Sequence, residues 1–477
     1  MSHDAASPAS GAKGQDSGVL IRADNGDVVT FDATGLTLRL SDTVLADLRV
    51  RLSGVGAPPL DVAEELGDID AWQLRADAGW LRFTAMLEPD LGPREYQRPQ
   101  AGGDIIAAAP GPLYALFSLG GARRAGFNDG PPGFARHILA PADDIGAVGL
   151  EGTAAAQPAA GVQRLPHSSR DALIADTLLG WRRKALRGLP LFMVRAETDA
   201  SASIAALAQG VAYANFLVAL DNLGMAAKAL GKRAKVLAVS LDYGPEDLHS
   251  TPSAFAEGMR ALMRQIERDM AARGLQRPIF LVPFDSGAPQ QITHPAILGA
   301  WELAWSHGSH ALALPAPGYM FEQTRFGRPT AAARLRMAEM DAHAIVAQTR
   351  REPWACPLML LAEYQGKDIR VTARALADLV LDASDPFGAG AACGFSLSGT
   401  TRPVQIVAVR IADDDPQALI VTCDGVPEGL APELRYACGG VNRGALRDQW
   451  SAPSRAGGAL LHRWAYPAAL PLQRGQG

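Results

Sequence analysis

One serine in this 477-residue chain stands where a nucleophile could sit. Ser118 follows the apolar run Leu113-Tyr114-Ala115-Leu116-Phe117 and precedes Leu119-Gly120-Gly121. It falls at the carboxyl end of a predicted strand, beside a glycine turn. A hydroxyl there can attack an ester carbonyl once a base takes its proton. The plainer alternative is that Ser118 caps the turn that follows. A single short motif does not separate the two.

Two more polar stretches lie where strands are predicted to end. One holds Arg195, Glu197 and Asp199; the other holds Asp242, Tyr243, Gly244, Glu246 and Asp247. Arginine beside carboxylates and a tyrosine can hold a sugar or an acidic group by bidentate bonds and stacking. The same residues can equally form a salt-bridged, filled pocket that binds nothing. Of the histidines, His249 follows the second stretch and is the best candidate base, with a solvated loop histidine as its bland reading. His294, His307 and His310 fall further on, and His343 lies inside a predicted helix, where a structural role is expected. Cys356, Cys393, Cys423 and Cys438 show no CxxC spacing, so no zinc site is expected and free buried thiols are the plain reading. Nothing in the sequence calls for a cofactor or a metal.

The elements that must position these groups begin with a βαβ unit. Leu191–Val194 and Lys235–Leu241 read as buried strands, and Ile204–Leu230 between them carries apolar residues at helical spacing. Such a unit builds a parallel sheet, and ligands bind at the carboxyl edge of such sheets. The edges here are 195–203 and 242–250. Ser168-Ser169-Arg170-Asp171 opens a helix through Arg183. Phe255–Arg273 is amphipathic, with Met259, Leu262, Met263, Ile266 and Met270 on one face, read as core. Pro278–Pro283 is a buried strand, His294–Ser306 a helix, Ala311–Leu314 a short strand and Ala331–Gln348 a helix. Asn128–Gln163, rich in Gly, Pro and Ala, reads as a long surface loop.

Both flanks read as β. Val19–Gln100 alternates over short runs, among them Val28–Phe31, Leu36–Leu40, Leu48–Leu52 and Trp80–Phe83, with a turn signal at Asn25-Gly26-Asp27. From Trp354 onward, short strands with Gly, Pro and Asp turns suggest a sandwich. The expected organisation is a disordered tail at 1–18, an N-terminal β domain at 19–100, an α/β domain at 104–352 and a C-terminal β-sandwich at 353–470. The first 18 residues lack the apolar core of a secretory signal, so cytoplasmic synthesis is expected. No run reaches the length of a membrane span. A net charge of -5 gives no electrostatic case for nucleic acid.

This order of elements resembles the SGNH (GDSL-like) hydrolase superfamily, in a branch related to carbohydrate O-acetylesterases with a β domain after the catalytic one. Leu434-Arg435-Tyr436-Ala437-Cys438-Gly439-Gly440 and Gly444-Ala445-Leu446-Arg447-Asp448 are similar to that branch's closing RYA, glycine and NLRD pattern. The resemblance implies a flavodoxin-like parallel sheet with flanking helices, a serine nucleophile, glycine and amide oxyanion donors, and a late Asp-x-x-His pair. The chain departs at most of these. Ser118 lacks the neighbouring glycine and glutamine. The block at 194–201 contains no glycine. Tyr243-Gly244-Pro245-Glu246-Asp247 replaces a QGE-x-D pattern, and Arg325 and Arg328 fall where the acid and base belong. Arginine stays protonated and cannot act as a general base.

The resemblance and its departures give three readings. The first is a non-catalytic SGNH-fold protein that binds a glycan or a partner protein; a place in a surface or virion-like assembly is implied by the resembling branch alone. Its candidate contacts are Arg195, Glu197, Asp199, Tyr243, Gly244, Asp247, Arg325 and Arg328. The second is an active carbohydrate esterase using Ser118. The third is a purely structural subunit, in a homo- or hetero-oligomer.

Overall fold

Eight residues, Leu113–Gly120, carry no charge and are apolar almost throughout, the signature of a strand covered on both faces. In the computed structural model this segment is the middle of the largest α/β layer. The structure describes residues 18–23, 27–32, 35–45, 48, 60–200, 203–244, 246–247, 250–283, 295–324, 327–438, 443–455 and 457–475. The protein is a mixed α/β chain with several sheets, and it divides into two compact units, Met1–Arg75 and Ala76–Gly477.

In the first unit, β1 (Gly18–Arg22), β2 (Val28–Asp32) and β3 (Gly35–Arg39) form an antiparallel sheet. Val29 faces Leu38 and Phe31 faces Leu36 across the β2–β3 ladder. The turn signal at Asn25-Gly26 and most of the expected strand at 48–52 lie outside the described residues; Leu48 itself is helical. A short helix, α1 (Val62–Leu66), is capped by Asp61. Strand β4 (Ala71–Asp77) crosses the division between the units.

The second unit opens with three antiparallel strands, β5 (Trp80–Ala85), β6 (Arg94–Pro99) and β7 (Ile106–Ala107). Next in the chain come β8 (Leu113–Gly120), β9 (Phe127–Asn128), β10 (Ile138–Pro141), β11 (Val162–Arg164) and β12 (Ser168–Ser169). They are followed by helix α2 (Arg170–Lys184), β13 (Leu191–Thr198), α3 (Ile204–Leu207), α4 (Val211–Ala229), β14 (Ala234–Asp242) and α5 (Pro252–Ala272). Finally come β15 (Ile279–Leu281), α6 (Pro295–Trp305), β16 (Leu312–Ala313) and α7 (Ala331–Thr349). A seven-stranded sheet runs in the order β11-β10-β13-β8-β14-β15-β16. Every neighbouring pair is parallel except β10–β11.

Three local expectations are corrected here. The stretch 128–163 is not all loop, because Ile138-Leu139-Ala140-Pro141 is fully buried and pairs with β13. The predicted helix 204–230 is two helices, broken before Val211 at Gly210. A Cβ on that glycine would stand 2.9 Å from the Asp199 carboxylate and 3.0 Å from the Ala206 carbonyl. Strand β13 runs on to Thr198, opposite Gly120, so Arg195 and Glu197 lie inside the sheet and not on its edge.

Helix starts follow the side chains written at them. Ser169 accepts from Ala172 N at 3.2 Å, Thr251 from Ala254 N at 3.2 Å and Thr330 from Ala333 N at 3.2 Å. The methionine-rich face of α5 is wholly buried.

Residues 358–474 form a seven-stranded sheet and a three-stranded sheet that contribute to one apolar core. The Arg-Tyr-Ala and Leu-Arg-Asp segments belong to this core. The Tyr436 hydroxyl accepts from Leu446 N at 3.0 Å, and the Asp448 carboxylate pairs with Arg463 at 2.6 Å. Gly444 makes room, since a Cβ there would fall 2.0 Å from the Tyr436 hydroxyl. The motif is therefore a packing device. Gly444→Ala is expected to cost about 1–3 kcal/mol of stability, the usual range for overpacking. Urea unfolding that matched the parent would refute this.

Candidate functional site

Ser118 is not on a turn. It sits within β8, in register with Ala196 of β13 and Ser240 of β14, and is completely buried. Its hydroxyl does not cap the following turn and, among the described residues, meets no imidazole. It donates to Asp171 Oδ2 at 2.5 Å and accepts from Arg124 Nε at 2.9 Å. Arg124 stands on the 3-10 turn Ala122–Ala125 directly after the strand, and its Nη2 reaches Asp171 Oδ1 at 2.5 Å. Asp171 is the second residue of α2, where the helix N-terminus also favours a carboxylate.

The network continues to the neighbouring elements. Arg170 clamps Asp341 of α7 in a bidentate pair, Nε to Oδ2 at 2.7 Å and Nη2 to Oδ1 at 2.8 Å. Asp242, at the end of β14, lies 3.4 Å from Arg170 Nη1 and 3.8 Å from Arg124 Nη1. Burial raises the carboxyl of Asp171 above its ordinary range, against the pull of Arg124 and the Ser118 hydroxyl. Arg170 is held more firmly charged, because Asp341, Asp242 and Asp171 outweigh its desolvation. The arginine at the serine is Arg124. The adjacent pair Arg123-Arg124 straight after Gly120-Gly121 was the signal in the sequence.

The glycines after Ser118 serve close packing. A Cβ on Gly120 would meet the Asp242 carbonyl at 2.4 Å, and one on Gly121 would meet Glu246 Oε1 at 1.8 Å. The Gly121 amide already donates to that Asp242 carbonyl at 3.0 Å. An oxyanion donor at this position is therefore engaged. The cavity lined by Arg123, Asp242, Tyr243, Gly244 and Phe255 measures about 10 Å³, room for one water.

The other candidate residues do not form one open cleft. Arg195 and Glu197 share a second buried cluster. Arg195 binds the Asp143 carboxylate and donates to the Gly146 carbonyl at 2.7 Å, and its Nε lies 3.4 Å from Glu197 Oε1. Asn215 donates to Glu197 Oε2 at 3.3 Å. Asp199 is half-buried just beyond the strand. Tyr243 and Gly244 are buried. Asp247 is fully buried, accepting from Ser250 N at 3.0 Å and Ser250 Oγ at 2.8 Å. Arg328 is exposed on a turn, its backbone carbonyl accepting from Thr324 N. Arg325, His249 and His294 lie outside the described residues.

Among the described histidines, none bonds to Ser118. His310 Nδ1 meets Glu267 at 3.0 Å, and His343 packs among Trp181, Trp354 and Trp450. Desolvation lowers the His343 pKa to about 4, so it stays neutral as a packing group. The described residues hold no group of three or more side chains suited to a metal ion. No two cysteines are bonded. No described helix is long and apolar enough to cross a membrane.

No protein-family model matches the chain, and no curated protein matches it. Among solved structures, one similar chain is described as a novel carbohydrate acetylesterase from Xanthomonas citri. It is 15% identical, and the match covers 79% of this chain and 85% of that one at a TM-score of 0.49.

Two expectations follow from this geometry. Arg124→Ala leaves Asp171 buried without its cation and should destabilise the protein by about 3–5 kcal/mol in urea unfolding; Arg124→Met with Asp171→Leu should cost less than that single change. Equal costs would refute the pairing. Glu197 has the opposite pH signature from an ordinary salt-bridged carboxylate. Burial lifts its pKa from 4.5 to about 7, outweighing Arg195. The folded state therefore holds a proton that the unfolded chain releases between those values. The contribution of Glu197 to stability is greatest below pH 4.5, falls by about 3 kcal/mol on the way to pH 7, and then levels off. Glu197→Gln should flatten this decline when unfolding is measured at pH 5 and pH 8. An unchanged slope would assign the proton elsewhere.

Proposed function

We propose that this chain is a catalytically silent protein of SGNH-hydrolase type whose work is binding, to a glycan or a partner protein. One observation carries the reading: the Ser118 hydroxyl is sealed between Asp171 and Arg124, with no exposed surface. A nucleophile needs a path to substrate and a base that can accept its proton. Asp171 touches the hydroxyl, but it is itself pinned by a permanent cation. The guanidinium would oppose a shift of positive charge toward that side, and the neighbouring amide of Gly121 is already bonded.

The assignment to the SGNH type is supported by the sheet. Apart from β10 and the antiparallel edge β11, the order β13-β8-β14-β15-β16 corresponds to 2-1-3-4-5 in chain order, the flavodoxin-like arrangement. A fold can persist while its chemistry is lost, leaving a rigid frame for recognition. Membership of a surface or virion-like assembly fits such a frame and rests on the family resemblance alone.

The test is hydrolysis of p-nitrophenyl acetate by the purified protein and by Ser118→Ala. Neither is expected to exceed the buffer rate. Turnover by the parent that disappears in the variant would establish the active esterase instead.

A further inference from the structure

A cleft well away from Ser118 has the make-up of a ligand site. It has a volume of about 340 Å³ and is lined by Trp80, Pro99, Asp104, Ala160, Val162 and Leu230 among others. That volume is within the range of small-molecule pockets, and an apolar lining with a few fixed polar groups is their usual composition. Trp80 opens β5 and pairs with Pro99 of β6, so its indole is carried by a sheet. One wall is the turn that follows β6, where Gly102 and Gly103 have φ of +94° and +131°. Those conformations suit glycine, and they bring backbone to the cleft without side chains.

The polar element of the lining is the Asp104 carboxylate, which is held in an ion pair. Arg164 of β11 donates its backbone N–H to Asp104 Oδ2 at 2.7 Å and its Nε to Asp104 Oδ1 at 3.2 Å. Both side chains remain in contact with solvent, at 31% for Asp104 and 44% for Arg164. Each carboxylate oxygen has further acceptor capacity, and the guanidinium has further donors. The carboxylate is balanced in charge by Arg164 and fixed in orientation. It therefore suits hydroxyl groups, which both donate and accept, better than it suits a net charge.

We propose that this cleft binds a neutral saccharide, with the Trp80 indole packing against the C–H face of a sugar ring and the Asp104 carboxylate, held by Arg164, engaging its hydroxyls. A pyranose presents that combination, an apolar face edged by hydroxyls, and a flat aromatic surface is matched to the first part. The inference rests on the binding half of the reading above and supplies its location.

The experiment titrates the full chain with a panel of neutral di- and trisaccharides built from glucose, galactose, mannose and N-acetylglucosamine. Calorimetry and tryptophan fluorescence are the readouts, with indole as an apolar competitor. At least one saccharide is expected to bind and to shift the fluorescence. Trp80→Ala should weaken that binding about tenfold, Trp80→Phe less, and Asp104→Asn should weaken it while leaving the melting curve close to the parent's. If Trp80→Ala fails to fold, the Phe and Asn variants decide. The proposal is overturned if no saccharide in the panel binds, if binding survives both the Trp80 and Asp104 changes, or if indole binds and no saccharide competes with it. Saccharide binding that ignores Trp80 would remove this site and leave the binding function standing. Ester turnover dependent on Ser118 would instead remove the silent-scaffold reading without touching the cleft.

Discussion

The second unit is organised around charges that have been taken out of water beneath its central strand. Withdrawing an arginine and an aspartate from solvent costs several kcal/mol per ion, and the arrangement holds only because each charge finds its counterpart with good geometry. Arg124 and Asp171 meet that condition against Ser118, and Arg170 and Asp341 meet it one step further out. The residues come from the middle of β8, the turn after it, the first turn of α2, the end of β14 and the body of α7. A slip in any of these elements would strand a buried ion. The network therefore specifies how sheet and helices sit together.

The β region that follows is joined to this layer by directional bonds as well as apolar contact. The Trp301 indole donates to the Met359 carbonyl at 2.8 Å, the Trp354 indole to Pro315 at 3.1 Å and the Tyr319 hydroxyl to Ala465 at 2.7 Å. Ser454 donates to Glu339 at 2.6 Å, and Arg455 reaches Asp176 at 3.0 Å. Each bond joins the β region to the α/β layer or its connecting loops. Such a seam suits a protein that presents surfaces in a constant relation.

Much of this plan could be read from residue order. The central strand, the capped helices and the methionine stripe of α5 follow from apolar spacing and from Ser or Thr at helix starts, because those are local rules. What escaped the sequence was set by tertiary pairing. Ile138–Pro141 looks like loop among its glycines and prolines, and only its burial against β13 makes it a strand. Arg195 and Glu197 look like edge residues until β8 is seen to pair with β13 as far as Thr198. The family layout points to arginines near 325, while the arginine bonded to the serine lies six residues downstream of it. Spacing along the chain could not say which of several arginines would turn inward.

Trp354 packs against the core of the α/β layer and against the core of the β region. His343 lies parallel to its ring, and the Trp450 ring meets it edge-on. One side chain is thus common property of two hydrophobic interiors. Neither interior can loosen around this side chain without removing packing from the other. A chain cut at the join between them would leave apolar surface bare on both fragments.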